Sequence, residues 1–373
     1  MNAIRSTLAI QLLIPAALFG YAAVANFSLP DRLAPTQTPE ETSLSFYFNG
    51  GATGQLEKLY RDGLPHRQLA VELVGAARYL LLGEGRRGVV VGENGYLFTD
   101  EEFRFPGNQG ALLAASVDQI AEVSKTLASR NVKLVIVPLP MKSDIYEQEL
   151  HRPAASAFAK DIYDNFRAAL SQRGISSVDT RSALLAAENR KQVFLKTDTH
   201  WTPAGAEAVA GAVAAQALGE NPSVYELSSA ADAKIEGDLV KYVTGGPFSQ
   251  LVGLGTETVT PVSISAKAAS TQVTDLFGDT TAIPVALVGT SYSANDLWSF
   301  APLLSFKTGL DVANAALVGQ GPVMPMRKYL ASLSDTAALP QTVIWEFPIR
   351  FLTDKHLWDE TPAKKETVGH GSH

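Results

Sequence analysis

The sequence predicts an α/β fold, a mostly parallel sheet flanked by helices, on three observations. Apolar runs of strand length at residues 133–138, 285–288 and 342–347 lack the polar alternation of a half-solvated strand, so both faces are expected to be buried. Between such runs lie segments with helical apolar spacing, as at Val117, Ile120, Ala121 and Leu127. The chain has 373 residues, 46% of them apolar and 18% charged, enough to bury a substantial core in such layers.

Taken in order, residues 89–98 read as two short strands around a tight turn at Asn94-Gly95. A helix over 111–130 leads into the 133–138 strand. A helix around 157–172 leads into a short strand at 175–179. Thr202 is a natural N-cap and Pro203 a natural first helical residue. Ala206, Val209, Ala210, Val213 and Ala217 continue that helix, and Gly219 can end it. Residues 220 to about 282, rich in Gly, Thr, Val and Ser, break the rhythm and read as an insertion of loops and short strands. The α/β pattern resumes with the 285–288 strand, a helix over 295–308, and strands at 313–318 and 342–347. No internal repeat is visible.

The net charge is −7, from 38 acidic against 31 basic residues, and no Lys/Arg-rich run occurs, which excludes a nucleic-acid partner from the expectation. The absence of cysteine excludes disulfides, thiolate metal sites and a cysteine nucleophile. Arg5 is the only charged side chain before Asp31, and Leu8 to Gly20 is an apolar run followed by Ala23-Val24-Ala25, a small-x-small cleavage pattern. Residues 1–25 therefore read as an export signal or an N-terminal membrane anchor. Residues 26–43, with Pro30, Pro35 and Pro39, read as a linker to a folded body over 44–355, and 356–373 as a polar tail.

Two short segments carry the chemistry. Gly289-Thr290-Ser291-Tyr292-Ser293 follows an apolar strand, and in parallel α/β sheets ligands sit at the carboxyl ends of strands. A sharp turn at Gly289, with its permissive backbone, would expose the Ser291 hydroxyl. That hydroxyl needs a base. Of six histidines, His200 alone sits in a compact motif, Asp198-Thr199-His200-Trp201-Thr202-Pro203. In an extended segment the side chains of Asp198 and His200 would point the same way, so Asp198 could fix the imidazole and leave its other nitrogen for Ser291. Each signal has a plainer reading. Ser291 alone is a turn residue, Asp-x-His alone is a metal pair or a loop cap, Trp201 is a sugar platform or core packing, and Lys142 is an anion contact or a surface lysine.

Together these segments resemble a known family. In order along the chain stand the export segment, Asn94-Gly95-Tyr96-Leu97-Phe98, Val137-Pro138-Leu139-Pro140-Met141-Lys142, the Asp198 to Thr202 motif, the Gly289 to Ser293 motif and Trp345-Glu346-Phe347-Pro348-Ile349-Arg350. This resembles the SGNH-hydrolase-like proteins of bacterial alginate O-acetylation, over about residues 85–352. The resemblance implies a circularly permuted SGNH domain, with the Asp/His pair before the serine. It implies Ser291 as nucleophile, His200 as general base and Asp198 as its orienting partner, with no cofactor and no metal. With only a short polar tail after Arg350, the expectation is the J type, which lacks an appended carbohydrate-binding module. It further implies a periplasmic O-acetyltransferase, free or anchored to the inner membrane, acting on alginate or a related exopolysaccharide. Its partners would be a membrane-bound O-acyltransferase and other proteins of the acetylation complex. Two other expectations compete: a non-catalytic SGNH-like scaffold, and metal-dependent hydrolysis through Asp198 and His200.

Overall fold

The structure is a computed structural model and describes residues 67–267, 284–333 and 339–358, with residues 20, 21, 24 and 57. Most of the export segment, the 26–43 linker and most of the polar tail lie outside the described residues. The chain divides into two compact units, 1–77 and 78–373. Among the described residues, no helix is long and apolar enough to cross a membrane.

Among the described residues the second unit holds eleven strands: β1 (Val89–Val91), β2 (Leu97–Thr99), β3 (Lys133–Leu139), β4 (Ser176–Ser177), β5 (Tyr225–Ser229), β6 (Ala233–Ile235), β7 (Glu257–Val259), β8 (Val262–Ala266), β9 (Val285–Val288), β10 (Val312–Asn314) and β11 (Thr342–Pro348). Five form one sheet in the order β10-β9-β11-β3-β4, and every pairing in it is parallel. The expected α/β architecture is present.

The uninterrupted apolar runs have the physical reason anticipated for them. Alternate residues of one strand feed two separate cores: Val135, Val137 and Leu139 of β3 join Val285, Leu287 and Ile344 on one side of the sheet. Leu134, Ile136, Ala286, Val288, Val343, Trp345 and Phe347 join the other. The first core is completed by helices Pro203–Val213 and Phe300–Thr308, the second by helices Gln109–Ala128 and Ala154–Gln172. Glu346 falls in phase with Ile344, so a carboxylate with no solvent exposure faces the first core.

Local signals largely held. Asn94 and Gly95 both have positive φ (52° and 80°), and Tyr96 N–H donates to Glu93 O at 2.9 Å, closing the tight β1–β2 hairpin. Thr202 Oγ1 accepts from Gly205 N–H at 3.2 Å with Pro203 next to it, as the N-cap reading requires.

Two expectations are corrected. The helix expected over 295–308 is broken: a four-residue helix Ser291–Ala294, a 3-10 turn Asp296–Trp298, and then Phe300–Thr308, with Ser299 left-handed at φ 60° between them. The strand expected over 313–318 is only Val312–Asn314, because Leu317 N–H turns back to Gly289 O at 3.0 Å. The described part of the 220–282 segment holds two antiparallel ribbons, β5–β8 and β6–β7.

Candidate active site

The site lies at the carboxyl edge of the sheet, where β9 runs into Ser291, β11 presents Glu346 and β3 ends just before Lys142. Ser291 opens the short helix after β9. Thr290 caps it, its Oγ1 accepting from Tyr292 N–H at 3.4 Å. Glu346 holds the turn from beneath, its Oε2 accepting from Thr290 N–H at 2.9 Å and from Ser293 Oγ at 2.7 Å. Thr290 Oγ1 donates to its Oε1 at 3.0 Å. Burial pushes the Glu346 carboxyl up, while the hydrogen bonds from Thr290 and Ser293 pull against it. Ser293 is thus a structural neighbour of Ser291. Gly289 is needed for a different reason from the one expected. Its φ is not positive, but an added Cβ would stand 2.5 Å from Glu346 Oε2.

The opposing arm is the loop 195–201, closed by a bridge between Phe194 and Trp201 and by Leu195 N–H donating to His200 O at 3.1 Å. Asp198 reaches His200 by a bend and not by strand alternation. Its Oδ1 accepts from His200 N–H at 2.8 Å, the Asx-type turn open to Asp and Asn. The same Oδ1 lies 2.6 Å from His200 Nδ1, and His200 Nε2 lies 2.8 Å from Ser291 Oγ. The structure therefore brings Asp198, His200 and Ser291 into one hydrogen-bonded chain. Burial alone would raise the Asp198 carboxyl, but the His200 hydrogen bond and charge, with two backbone N–H donors, hold it below its ordinary value.

Several residues that hold this loop could not be given that role from the sequence. The Lys142 side chain is buried, and its Nζ donates to Leu97 O, Lys196 O and Asp198 O at 2.7, 2.9 and 3.0 Å. It is neither the anion contact nor the surface lysine entertained above. Burial lowers its pKa to about 8 against the raising influence of Glu102, Glu257, Asp198 and Asp238. Glu257 Oε2 accepts from Lys196 N–H at 2.9 Å, and its Oε1 from Thr197 N–H at 2.8 Å and Thr197 Oγ1 at 2.6 Å. Asp238 N–H donates to Asp198 Oδ2 at 2.9 Å. Both Asp238 and Glu257 come from the 220–282 segment, so that insertion braces the histidine loop. Trp201 is fully buried, its Nε1 donating to Tyr292 O at 3.1 Å, which excludes the sugar platform.

A cleft of about 270 Å³ is lined by both His200 and Ser291, with Arg104, Lys241 and Arg350 balanced by Asp100, Glu101 and Asp238. Arg350 Nη1 donates to Tyr292 Oη at 3.0 Å, and its Nε to Glu101 at 3.0 Å. A larger depression of about 530 Å³ beside helix Ala154–Gln172 and β4 includes none of these residues. Asp198, His200 and Asp238 offer three potential ligand atoms within 4.8 Å of one another; Asp198 Oδ1 pairs with His200 Nδ1, and Asp238 Oδ2 accepts from Thr199 Oγ1.

A parallel sheet carrying a serine at the end of β9, with an Asp-x-His loop from earlier in the chain set against it, is the arrangement of an SGNH hydrolase-like α/β domain. The family described as "SGNH hydrolase-like domain, acetyltransferase AlgX" matches residues 89–349, and the chain belongs to this family. It is 37% identical over 310 residues to a protein of Azotobacter vinelandii described as "Probable alginate O-acetylase AlgJ", covering 82% of this chain and 80% of that one. Among solved structures it is similar to the O-acetyltransferase domain of Pseudomonas putida AlgJ, with 36% identity, a TM-score of 0.62, and coverage of 72% of this chain and 93% of that one. It is also similar to Pseudomonas aeruginosa AlgX, at 26% identity and a TM-score of 0.56, over 72% of this chain and 65% of that one.

Proposed function

We propose that the protein is a periplasmic O-acetyltransferase of alginate or a related exopolysaccharide, working through an acetyl-serine on Ser291. One observation carries the reading: His200 stands between Asp198 Oδ1 at 2.6 Å and Ser291 Oγ at 2.8 Å, the order orienter, base, nucleophile. Ser291 Oγ attacks the carbonyl carbon of a donor acetyl ester as its proton passes to His200 Nε2. The Nδ1 proton stays on the ring, where Asp198 accepts its hydrogen bond and stabilises the imidazolium. The tetrahedral intermediate collapses, the donor oxygen leaves with the proton from Nε2, and acetyl remains on Ser291. A sugar hydroxyl then attacks that ester, gives its proton to Nε2 and leaves acetylated, and the proton returns to Ser291. Water in place of the sugar gives an acetylesterase. The relatives' names supply alginate as the acceptor, and a membrane-bound acyltransferase would supply acetyl across the inner membrane.

Ser291→Ala is expected to lower acetate release from 4-nitrophenyl acetate by more than about a thousandfold with an unchanged melting temperature (Tm). Mass spectrometry of the wild type should find one acetyl group on the peptide containing Ser291. Undiminished turnover in the variant would leave the domain as a non-catalytic scaffold, and loss of turnover with a chelator would point to a metal. N-terminal sequencing of the exported protein decides between cleavage after Ala25 and a retained anchor.

A further inference from the structure

Asp238 stands beside the imidazole in a position that the Ser–His–Asp chain does not require. Its Oδ1 accepts from Thr199 N–H at 2.8 Å and its Oδ2 from Thr199 Oγ1 at 2.7 Å. Its own N–H donates to Asp198 Oδ2, and its Oδ2 lies 3.9 Å from His200 Nδ1. Thr199 Oγ1 is itself 3.3 Å from that nitrogen. Asp238 thus grips both residues that flank the ring's orienting side, and points a carboxylate at the nitrogen whose proton is retained.

We propose that Asp238 is a second carboxylate of the acid–base arm, a positioning residue that fixes Thr199 and Asp198 around the imidazole and adds a negative charge facing it once the ring is protonated. The inference rests on the proposed acyl transfer. When Ser291 Oγ–H gives its proton to Nε2, the ring becomes a cation, and charge facing Nδ1 is stabilising in that state only.

Other groups also face the ring. Asp198 contacts Nδ1 and Ser291 contacts Nε2; the Tyr292 ring lies 4.7 Å away and the Trp298 ring stacks at 5.3 Å. The charge of Glu346 acts on it from beneath the serine turn. The cations Lys142 and Arg350 are turned to other partners, Lys142 to the Leu97, Lys196 and Asp198 carbonyls and Arg350 to the Tyr292 hydroxyl and Glu101. Asp198 and Asp238 therefore face the ring on its Nδ1 side, and Glu346 acts on it through charge alone. The Asp238 side chain is 37% exposed, so solvent screens its charge and a moderate effect is expected.

Asp238→Asn separates the two roles. The Asn oxygen can still accept from Thr199 N–H and its amide can donate to Thr199 Oγ1, so the grip survives and the charge is lost. In hydrolysis of 4-nitrophenyl acetate, kcat is expected to fall about three- to tenfold with little change in KM. The acid limb of the kcat/KM profile, which reports the free histidine, should move to lower pH by about half a unit to one unit. Asp238→Ser, a second uncharged variant, should show the same displacement with a larger fall in kcat because the grip is also weakened. An unmoved acid limb in either folded variant overturns the charge role. Wild-type kcat in both overturns the proposal altogether. Ser291→Ala run in parallel separates the failures: if it retains turnover, the acyl-transfer reading fails and this inference with it.

Discussion

Gly289, Thr290 and Ser293 look like unrelated small residues until Glu346 is placed beneath them. A carboxylate in the first core would be costly on its own, but three donors from the serine turn offset its desolvation. At this scale the turn is held by one side chain, and Gly289 is the residue whose missing Cβ makes room for it. Gly289→Ala should therefore lower stability by about 1–3 kcal/mol in denaturant unfolding, from overlap and not from backbone strain. It should also lower kcat, because the carboxylate or the turn must shift. Stability and activity both equal to the wild type would mean that the turn does not depend on this contact.

Among the elements, the loop 195–201 is the most heavily braced part of the site. Lys142 holds two of its carbonyls, and Glu257 holds two of its N–H groups. The Leu97 N–H of β2 donates to Lys196 O at 2.8 Å. Glu257→Ala leaves the N–H groups of Lys196 and Thr197 unpaired by side chains, and should cost about 1–3 kcal/mol with a fall in kcat larger than the rise in KM. The helix that follows starts at a cap with two tasks: Thr202 Oγ1 accepts from Gly205 N–H and donates to Gln192 O at 2.6 Å. Thr202→Ala should lower stability by about 1 kcal/mol, read as a drop in Tm.

For the molecule as a whole, the buried carboxyls set opposing pH dependences. Asp198 titrates lower in the folded protein than in the unfolded chain. As the pH falls below the ordinary carboxylate value of about 4, the unfolded chain takes up this proton first, so stability is lost as the pH drops through the folded value. Glu346 titrates higher when folded, so its contribution is present at low pH and is lost as the pH rises through its folded value. Asp198→Asn should therefore flatten the acid-side fall of Tm, and Glu346→Gln should steepen it. The opposite pair of slopes would reverse the assigned directions.

What could be read without coordinates was what short-range chemistry dictates. The runs at 133–138, 285–288 and 342–347 require burial on both faces, Asn94-Gly95 requires a tight turn, and Thr202-Pro203 requires a helix start. Asp198, His200 and Ser291 each had a plainer reading alone and stood out because the two motifs together supply a nucleophile, a base and its orienting partner. The remaining features depend on distance in space. Lys142 and Glu346 belong to segments that carry the family resemblance, but their hydrogen-bond partners lie 45 to 56 positions away along the chain, and no local pattern announces those contacts. Asp238 and Glu257 belong to a segment whose composition reads only as loop, and become braces because the β6–β7 ribbon brings them to the histidine. The sequence by itself determined the layers and picked out Asp198, His200 and Ser291 as the groups to be brought together. Only the tertiary structure decided how those groups are held, because a buried charge is specified by partners that the fold alone brings together.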